Sequence, residues 1–428
     1  MKSTKEVINV SLNKLQQQFD FFDEISLKNT AKVLDAFAKN NVALRHFNGT
    51  SGYGNDDIGR DTLCKVYADV FGTEAAIVSP LITSGTHAIT VALFGVLRPH
   101  DIVLSVTGQP YDTLCDAIYK EGIGSLADFG VHFNTIDLTP DNRIEVDSVR
   151  KFLLANKTKM VYIQRSRGYA WRPALSIAQI EQICHIVKSV SPETIIFCDN
   201  CYGEFVEDKE PTNVGADFCA GSLIKNIGGG IAPTGGYVCG RQDLIDLIAG
   251  RVTSPSVGME VGSYTSGYRL FYQGLFNAPH VVNQALKVCL LFAQTLTELG
   301  YDVLPKLGDN IGDIVCSVKL GSAQRIIDFC KAVQSSSPVD AFVSPEPWEM
   351  PGYNDKVIMA AGCFVQGASI ELSCDGPIRE PYIVYLQGGL TLEHGIIALQ
   401  KVLENLGNSL FTSNSVSKPL LTSLKTTF

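Results

Sequence analysis

The chain has 428 residues, of which 45% are hydrophobic and 18% charged, enough apolar surface to bury a large core and too much for a disordered polymer. Its 35 basic and 44 acidic side chains give a net charge of −9. That balance argues against a general nucleic-acid binder, whose surface must replace phosphate counterions with Lys and Arg.

Residues 1–46 read as a helical arm. Val7, Val10, Leu12, Leu15, Phe19 and Phe22, then Ala31, Val33, Leu34, Ala36 and Phe37, recur at helical spacing. The N-terminus lacks the apolar run of a secretory signal. The most apolar long stretch, 77–97, is broken by Ser79, Pro80, Thr83, Ser84, Gly85 and His87, so no membrane span is expected and the chain reads as cytoplasmic. The segment FNGTSGYGNDDIGRD (47–61) holds too many turn formers for a helix, and Leu63–Phe71 returns to helical spacing.

From Ala75 onward, short β-branched runs alternate with helical stretches. Strands are expected at Ala75–Val78, Asp101–Ser105, Val131–Ile136, Lys159–Gln164 and Thr194–Cys198, and helices at Ser84–Leu97, 145–155 and Leu175–Val190. The pattern is that of an α/β chain with a mostly parallel sheet buried on both faces. A helix at Pro279–Leu299 leads to a second α/β set, with strands near Ile314–Val318 and Ala368–Leu372. The division expected is a large domain over 47–290, a smaller C-terminal α/β domain over 291–410, and a loosely ordered tail over 411–428.

The seven His are scattered, no HExxH or GxxxxGK[ST] string occurs, and no metal is expected. One CxxC exists, Cys198-Asp-Asn-Cys201, with no second pair at a useful spacing, so both cysteines read as buried strand-end thiols.

The chemistry-bearing residues lie where strands end. Asp199 directly follows the strand 194–198, and ligands in an open α/β sheet bind beyond the carboxyl ends of strands. Lys225 sits among Leu, Ile and Gly in GSLIKNIGGG, where loss of water is expected to lower its pKa. A neutral amine condenses with an aldehyde, and a carboxylate holds a pyridinium proton. The pair therefore suits pyridoxal 5′-phosphate (PLP). The plainer alternative is a strand-end Asp and a solvated Lys. Ser84, Gly85 and Thr86 open a helix whose amides and dipole suit an anion, and Ser222 adds a hydroxyl three residues before Lys225. An ordinary N-cap at Ser84 would leave the same trace. Tyr111, after the strand 101–105, is placed to cover a ring.

These strings together resemble fold-type I PLP-dependent enzymes of the Cys/Met-metabolism group, and more narrowly the methionine γ-lyase-like or aluminium resistance protein family. The resemblance is carried by NGTSGYGNDDIGRDTL, QRSRGYAWRP, FCDNCYGEFVE, SLIKNIGGGIAPTGGY and REPYIVYLQGGL. It covers residues 47–290 and 360–395. It implies that Lys225 binds the cofactor aldehyde, that Asp199 pairs with the pyridine nitrogen, and that Tyr202 lies beside it in the Asp-x-x-Tyr string. Tyr111 stacks on the ring, and Ser84, Gly85, Thr86 and Ser222 serve the phosphate. Tyr53 and Arg60 are the nearest matches to a Tyr and an Arg that related lyases lend to a neighbouring subunit, although the loop here reads GYGNDDIGR. The active species implied is thus a homodimer or homotetramer with active sites at the subunit interface. Arg379 is implied as the substrate-carboxylate clamp, with Arg165 and Arg167 competing. The activity implied is elimination of a β or γ substituent from a sulfur amino acid, with Lys225 and Tyr111 as catalytic groups. An aminotransferase, another amino-acid lyase and a non-catalytic PLP-binding protein are the alternatives. A Rossmann-type nucleotide binder is disfavoured, because no GxGxxG follows the first strand.

Overall fold

The structure is a computed structural model and describes residues 3–412. The tail expected at 411–428 lies, from 413 onward, outside the described residues. The chain divides into two compact units. Lys28–Gly168 with Ala174–Pro279 form the larger one. Tyr169–Pro173 and the chain's two ends, up to Leu27 and from His280 onward, form the other.

Helix α1 (Thr4–Lys39) buries Leu15, Phe19, Phe22, Val33 and Ala36, as its apolar spacing requires. It stops short of residue 46, and Leu44–Phe47 form a separate 3-10 turn. Helix α2 (Ile58–Phe71) begins inside the segment that reads as a loop. Asp57 is the reason: its carboxylate accepts the Gly59 and Arg60 amides at 3.1 Å each and caps the helix.

The larger unit then follows the expected alternation. Its order is β1 (Ala75–Ser79), α3 (Gly85–Val96), β2 (Ile102–Ser105), α4 (Asp112–Tyr119), β3 (His132–Thr135), α5 (Val146–Ala155), β4 (Thr158–Gln164), α6 (Ile177–Val190), β5 (Ile195–Asp199), β6 (Phe218–Ser222), β7 (Gly236–Gly240) and α7 (Gln242–Val252). The strands form one sheet in the order β1-β7-β6-β5-β4-β2-β3. Strands β3, β2, β4, β5 and β6 run parallel, and β7 runs against both β6 and β1. The carboxyl ends of six strands therefore open on one edge. Phe197 and Phe218 stack at 4.3 Å in the middle of the sheet. Ile77, Val103, Tyr162, Val238, Ala88 and Ile248 are fully buried around them. A fully buried side chain of Leu, Ile or Phe size contributes roughly 1.5–3 kcal/mol, so this slab holds its edge loops in place.

Helix α8 (Arg269–Glu298) starts ten residues before the expected Pro279, which lies inside it. Pro279 has no N–H to give the carbonyl four residues back, yet the helix continues because Leu275, Ala278 and Val282 are all buried beside it. The second sheet comprises β8 (Asp302–Leu304), β9 (Val315–Lys319), β10 (Val357–Ala360), β11 (Ser373–Pro377) and β12 (Ile383–Gln387). Its order is β10-β11-β12-β9-β8, antiparallel throughout. Helix α9 (Ala323–Ser336) packs on this sheet, and α10 (Leu392–Thr412) packs on α9. The strand expected at Ala368–Leu372 is a turn, and β11 begins only at Ser373. The Glu371 carboxylate accepts the Phe364 and Val365 amides at 2.9 Å and folds that segment back on itself. No helix among the described residues is long and apolar enough to cross a membrane.

Candidate active site

The site is assembled from loops at the carboxyl edge of the large sheet. Asp199 is the last residue of β5 and is buried. Its Oδ1 accepts the Cys201 amide at 3.1 Å and its Oδ2 accepts the Tyr162 hydroxyl at 3.4 Å. Burial raises its pKa, while Lys225, Cys201 and Tyr162 pull it down.

Ser222 ends β6, and the chain turns there so that the Lys225 amide donates to the Ser222 carbonyl at 3.3 Å. Lys225 Nζ lies 3.9 Å from the Tyr202 ring centroid. Tyr202 holds φ 69, a left-handed conformation uncommon outside Gly and Asn, and Phe205 repeats it at φ 60. Asn226, next to Lys225, steadies that loop by donating to the carbonyls of Tyr202 and Glu204 at 2.9 and 3.0 Å. The expected fall in the Lys225 pKa is not what these surroundings produce. Burial pulls it down, but Cys201, Tyr202, Asp199 and Tyr111 together hold the free ammonium well above its ordinary value.

Ser84 caps α3 by accepting the His87 amide at 3.0 Å, which leaves its hydroxyl proton available to an anion. The Gly85 and Thr86 amides open the helix and have no carbonyl one turn back. A Cβ on Gly85 would stand 3.2 Å from Cys201 Sγ and 3.3 Å from Ser222 Cβ, so the helix start and the end of β6 face each other across a gap that any larger side chain would crowd. Tyr111 joins the group from the loop before α4. Its hydroxyl donates to Thr86 Oγ1 at 3.0 Å, and its amide donates to Gln164 Oε1 at 2.9 Å. Burial and the nearby Asp199 charge keep that hydroxyl protonated well beyond the usual phenol range.

The structure thus brings together Lys225, Asp199, Tyr111, Tyr202, Ser84, Gly85, Thr86 and Ser222. Arg165 is fully buried and committed elsewhere. Its guanidinium donates to Leu175 O at 3.3 Å, Asn200 Oδ1 at 2.9 Å, Gly203 O at 2.8 Å and Glu207 Oε1 at 2.9 Å. It braces the 200–207 loop and is spent as a substrate ligand. Arg167 is buried two residues further on, beside Gly168, which lies against Tyr111. Arg379 belongs to the other unit and pairs at 2.8 Å with Asp355. Tyr53 is 78% exposed. Arg60 is buried and holds the same loop by donating to Gly54 O at 3.1 Å and Asp61 Oδ1 at 2.9 Å.

Sequence reasoning missed three residues. Gln164 ends β4 in register with Asp199, and that shared strand-end position is the signal that identifies it. Cys201 and Glu204 follow Asp199 in its loop. Glu204 is fully buried, accepts the Tyr237 hydroxyl at 2.8 Å, and leaves Oε2 without a hydrogen-bond partner among the described residues. Burial pushes its pKa up to about 8.

This donor set fits PLP: a lysine for the aldehyde, a buried carboxylate for the ring nitrogen, and a glycine-floored helix start with two hydroxyls for the phosphate. The comparisons agree. The sequence model described as "Methionine gamma-lyase" matches residues 4–407. The protein YnbB of Bacillus subtilis (strain 168) is 48% identical over 409 residues, 95% of this chain and 96% of that one. A crystal structure of a carbon-sulfur lyase involved in aluminum resistance from Clostridium novyi NT superposes with a TM-score of 0.91 at 47% identity, covering 94% of this chain and 96% of that one. The pyridoxal-5′-phosphate dependent protein YhfS of Escherichia coli shares the fold, with a TM-score of 0.61 at 16% identity over 90% of this chain and 97% of that one. The fold is that of the fold-type I PLP-dependent enzymes, and PLP is the cofactor.

Proposed function

The chain belongs to the methionine gamma-lyase family, and from that premise we propose that it is a carbon–sulfur lyase. It removes a β or γ sulfur substituent from an amino acid and leaves a 2-oxo acid and ammonia. The supporting observation is one buried site that holds an amine, a carboxylate and a protonated phenol around a glycine-floored helix start.

PLP, when bound, supplies the electron-withdrawing ring that stabilises negative charge at the substrate Cα. Asp199 holds the proton of the ring nitrogen, and its burial makes that interaction strong. Ser84, Ser222 and the Gly85 and Thr86 amides hold the phosphate. Lys225 Nζ is the base for the Cα proton. As a free ammonium it is held charged by its neighbours, so it must lose a proton before it can take one. Tyr111 Oη, kept protonated, gives its proton to the departing sulfur. Arg167 and Arg379 are the two proposed substrate-carboxylate ligands, and a planar guanidinium can bind a carboxylate through two hydrogen bonds. In the same reading the active species is a homodimer or homotetramer in which exposed Tyr53 and the loop braced by Arg60 serve a neighbour's phosphate.

The test is incubation of PLP-loaded protein with L-cysteine, L-cystathionine and L-methionine, with no 2-oxo acid present. Equal release of ammonia and 2-oxo acid is expected. Turnover that begins only when a 2-oxo acid acceptor is added would show amino transfer instead.

A further inference from the structure

Strand β4 ends on Gln164, which sits in register with Asp199 at the end of β5. Both side chains are buried. The Gln164 carboxamide is used at both of its polar atoms. Oε1 accepts the Tyr111 amide at 2.9 Å, and Nε2 donates to the Ser166 carbonyl at 3.1 Å. The Gln164 backbone amide donates to Thr107 Oγ1 at 3.1 Å. One residue therefore fastens the loop that carries Tyr111 to the segment that follows β4. Gly168 packs against the same pair: a Cβ there would stand 3.3 Å from Tyr111 Cβ and 3.6 Å from Gln164 Nε2. Tyr111 is the N-cap residue of α4, and its side chain makes no cap hydrogen bond. Its hydroxyl is held by Thr86 Oγ1 at 3.0 Å and its backbone by Gln164. Tyr111 is thus tied at two points, one at the start of α3 and one at the end of β4.

We propose that Gln164 is a positioning residue for the lyase step: its carboxamide anchors the Tyr111 backbone to the 164–168 segment and so fixes where the Tyr111 hydroxyl stands. The inference rests on the reading of Tyr111 as proton donor to the departing sulfur. The residue type follows from the bonds. A backbone N–H needs an acceptor and a carbonyl needs a donor, and a carboxamide carries one of each. An ionised carboxylate has acceptors only, and it would set a second anion beside Asp199. Asparagine carries the right group one methylene short. A proton donor serves an atom only within hydrogen-bond reach, and a misplacement of about 1 Å can lower a rate roughly a hundredfold. Gln164 acts through Tyr111, and its effect must therefore depend on the Tyr111 hydroxyl.

The test compares full-chain wild type, Gln164→Met, Tyr111→Phe and the double variant, each loaded with PLP and given L-cystathionine. The readings are kcat, KM, the PLP dissociation constant and the melting temperature of the unloaded protein. Methionine matches glutamine in length and removes both side-chain hydrogen bonds. Gln164→Met should lower kcat by roughly tenfold to a hundredfold and leave KM within about threefold of wild type. It should weaken PLP binding by roughly twofold to tenfold, the loss for one hydrogen bond. In the Tyr111→Phe background the same substitution should cost no further kcat, because the hydroxyl it positions is gone. Wild-type kcat and wild-type PLP affinity in Gln164→Met overturn the proposal. So does an equal loss of kcat with and without the Tyr111 hydroxyl, which marks a general loss of structure. If Gln164→Met fails to fold, Gln164→Glu, which when ionised has no donor for the Ser166 carbonyl, is read by the same criteria. Tyr111→Phe with wild-type kcat removes the proton-donor reading on which the proposal stands, whereas an impaired Tyr111→Phe beside an unimpaired Gln164→Met removes this proposal alone. Wild type that does not turn over L-cystathionine removes that substrate, and the PLP dissociation constant of Gln164→Met, raised or unchanged, then decides whether Gln164 places Tyr111.

Discussion

Lys225 Nζ stands 3.9 Å from the ring centroid of Tyr202, and Tyr202 holds that ring in place through a left-handed backbone at φ 69. A cation over an aromatic face gains roughly 0.5–2 kcal/mol, depending on how far it is desolvated. The strained backbone costs of order 1–3 kcal/mol, and Asn226 and the braced loop offset it. Replacing Tyr202 by Phe keeps the ring and should leave PLP retention near wild type. Replacing it by Leu removes the ring and should weaken retention several-fold at unchanged fold. Equal retention in the two variants, measured by cofactor release on dilution, would contradict a role for the ring.

Gly85 marks the closest approach between the start of α3 and β6. A Cβ there meets Cys201 Sγ at 3.2 Å and Ser222 Cβ at 3.3 Å, both tighter than ordinary packing. Gly85→Ala is expected to fold, because φ at this helical position suits alanine, but to push α3 away from Ser222. The dissociation constant for PLP, and separately for inorganic phosphate, should rise about tenfold, the effect of one lost charge-assisted hydrogen bond. Unchanged affinity for both would place the phosphate elsewhere.

Glu204 gives a pH dependence whose sign is fixed. Its pKa rises from 4.5 unfolded to about 8 folded. Between those values the folded chain carries a proton that the unfolded chain has released. The stability this supplies is complete below pH 4.5 and is lost as pH rises through the folded value. Glu204→Gln carries no titrating proton. Wild type should therefore lose stability relative to this variant as pH rises, by at most roughly 1.4 kcal/mol per unit. Urea unfolding of both proteins across that range is the measurement. Parallel profiles would mean that Glu204 is not held neutral.

The large sheet was readable in the sequence because its strands are continuous apolar runs and its helices carry a clean 3.6-residue period. The grouping of the candidate residues was readable for a related reason: Asp199 and Ser222 end strands and Tyr111 follows one, and strand ends are where an open sheet places ligands. What escaped depended on single side-chain contacts. Asp57 starts α2 early, and Glu371 turns the segment before β11, and neither leaves a periodic trace. Pro279 reads as a helix start by propensity, yet burial on both sides carries α8 through it. Arg165 looked available because the sequence cannot show that Asn200, Gly203 and Glu207 converge on its guanidinium. The Lys225 pKa direction was reversed because its apolar sequence neighbours are not its spatial neighbours.

Arg165 yields a prediction that separates bracing from substrate binding. Arg165→Met leaves the Gly203 carbonyl and Asn200 Oδ1 without this donor and removes the cation facing Glu207 and the fully buried Glu210. Removing one partner of a buried ion pair costs about 3–5 kcal/mol, so the midpoint of urea unfolding should fall sharply. In the fraction that remains folded, KM for the amino acid should change little, whereas loss of a true carboxylate ligand at Arg167 or Arg379 should raise it. A stable Arg165→Met protein with a large KM defect would return Arg165 to the substrate.

The most direct test is of Lys225 itself. PLP-loaded protein is reduced with borohydride, digested and mapped by mass spectrometry. The account predicts one pyridoxyl adduct, on the peptide that contains Lys225, and no visible band in Lys225→Ala. An adduct on a different lysine, or a wild-type protein that stays colourless with excess PLP, would contradict it.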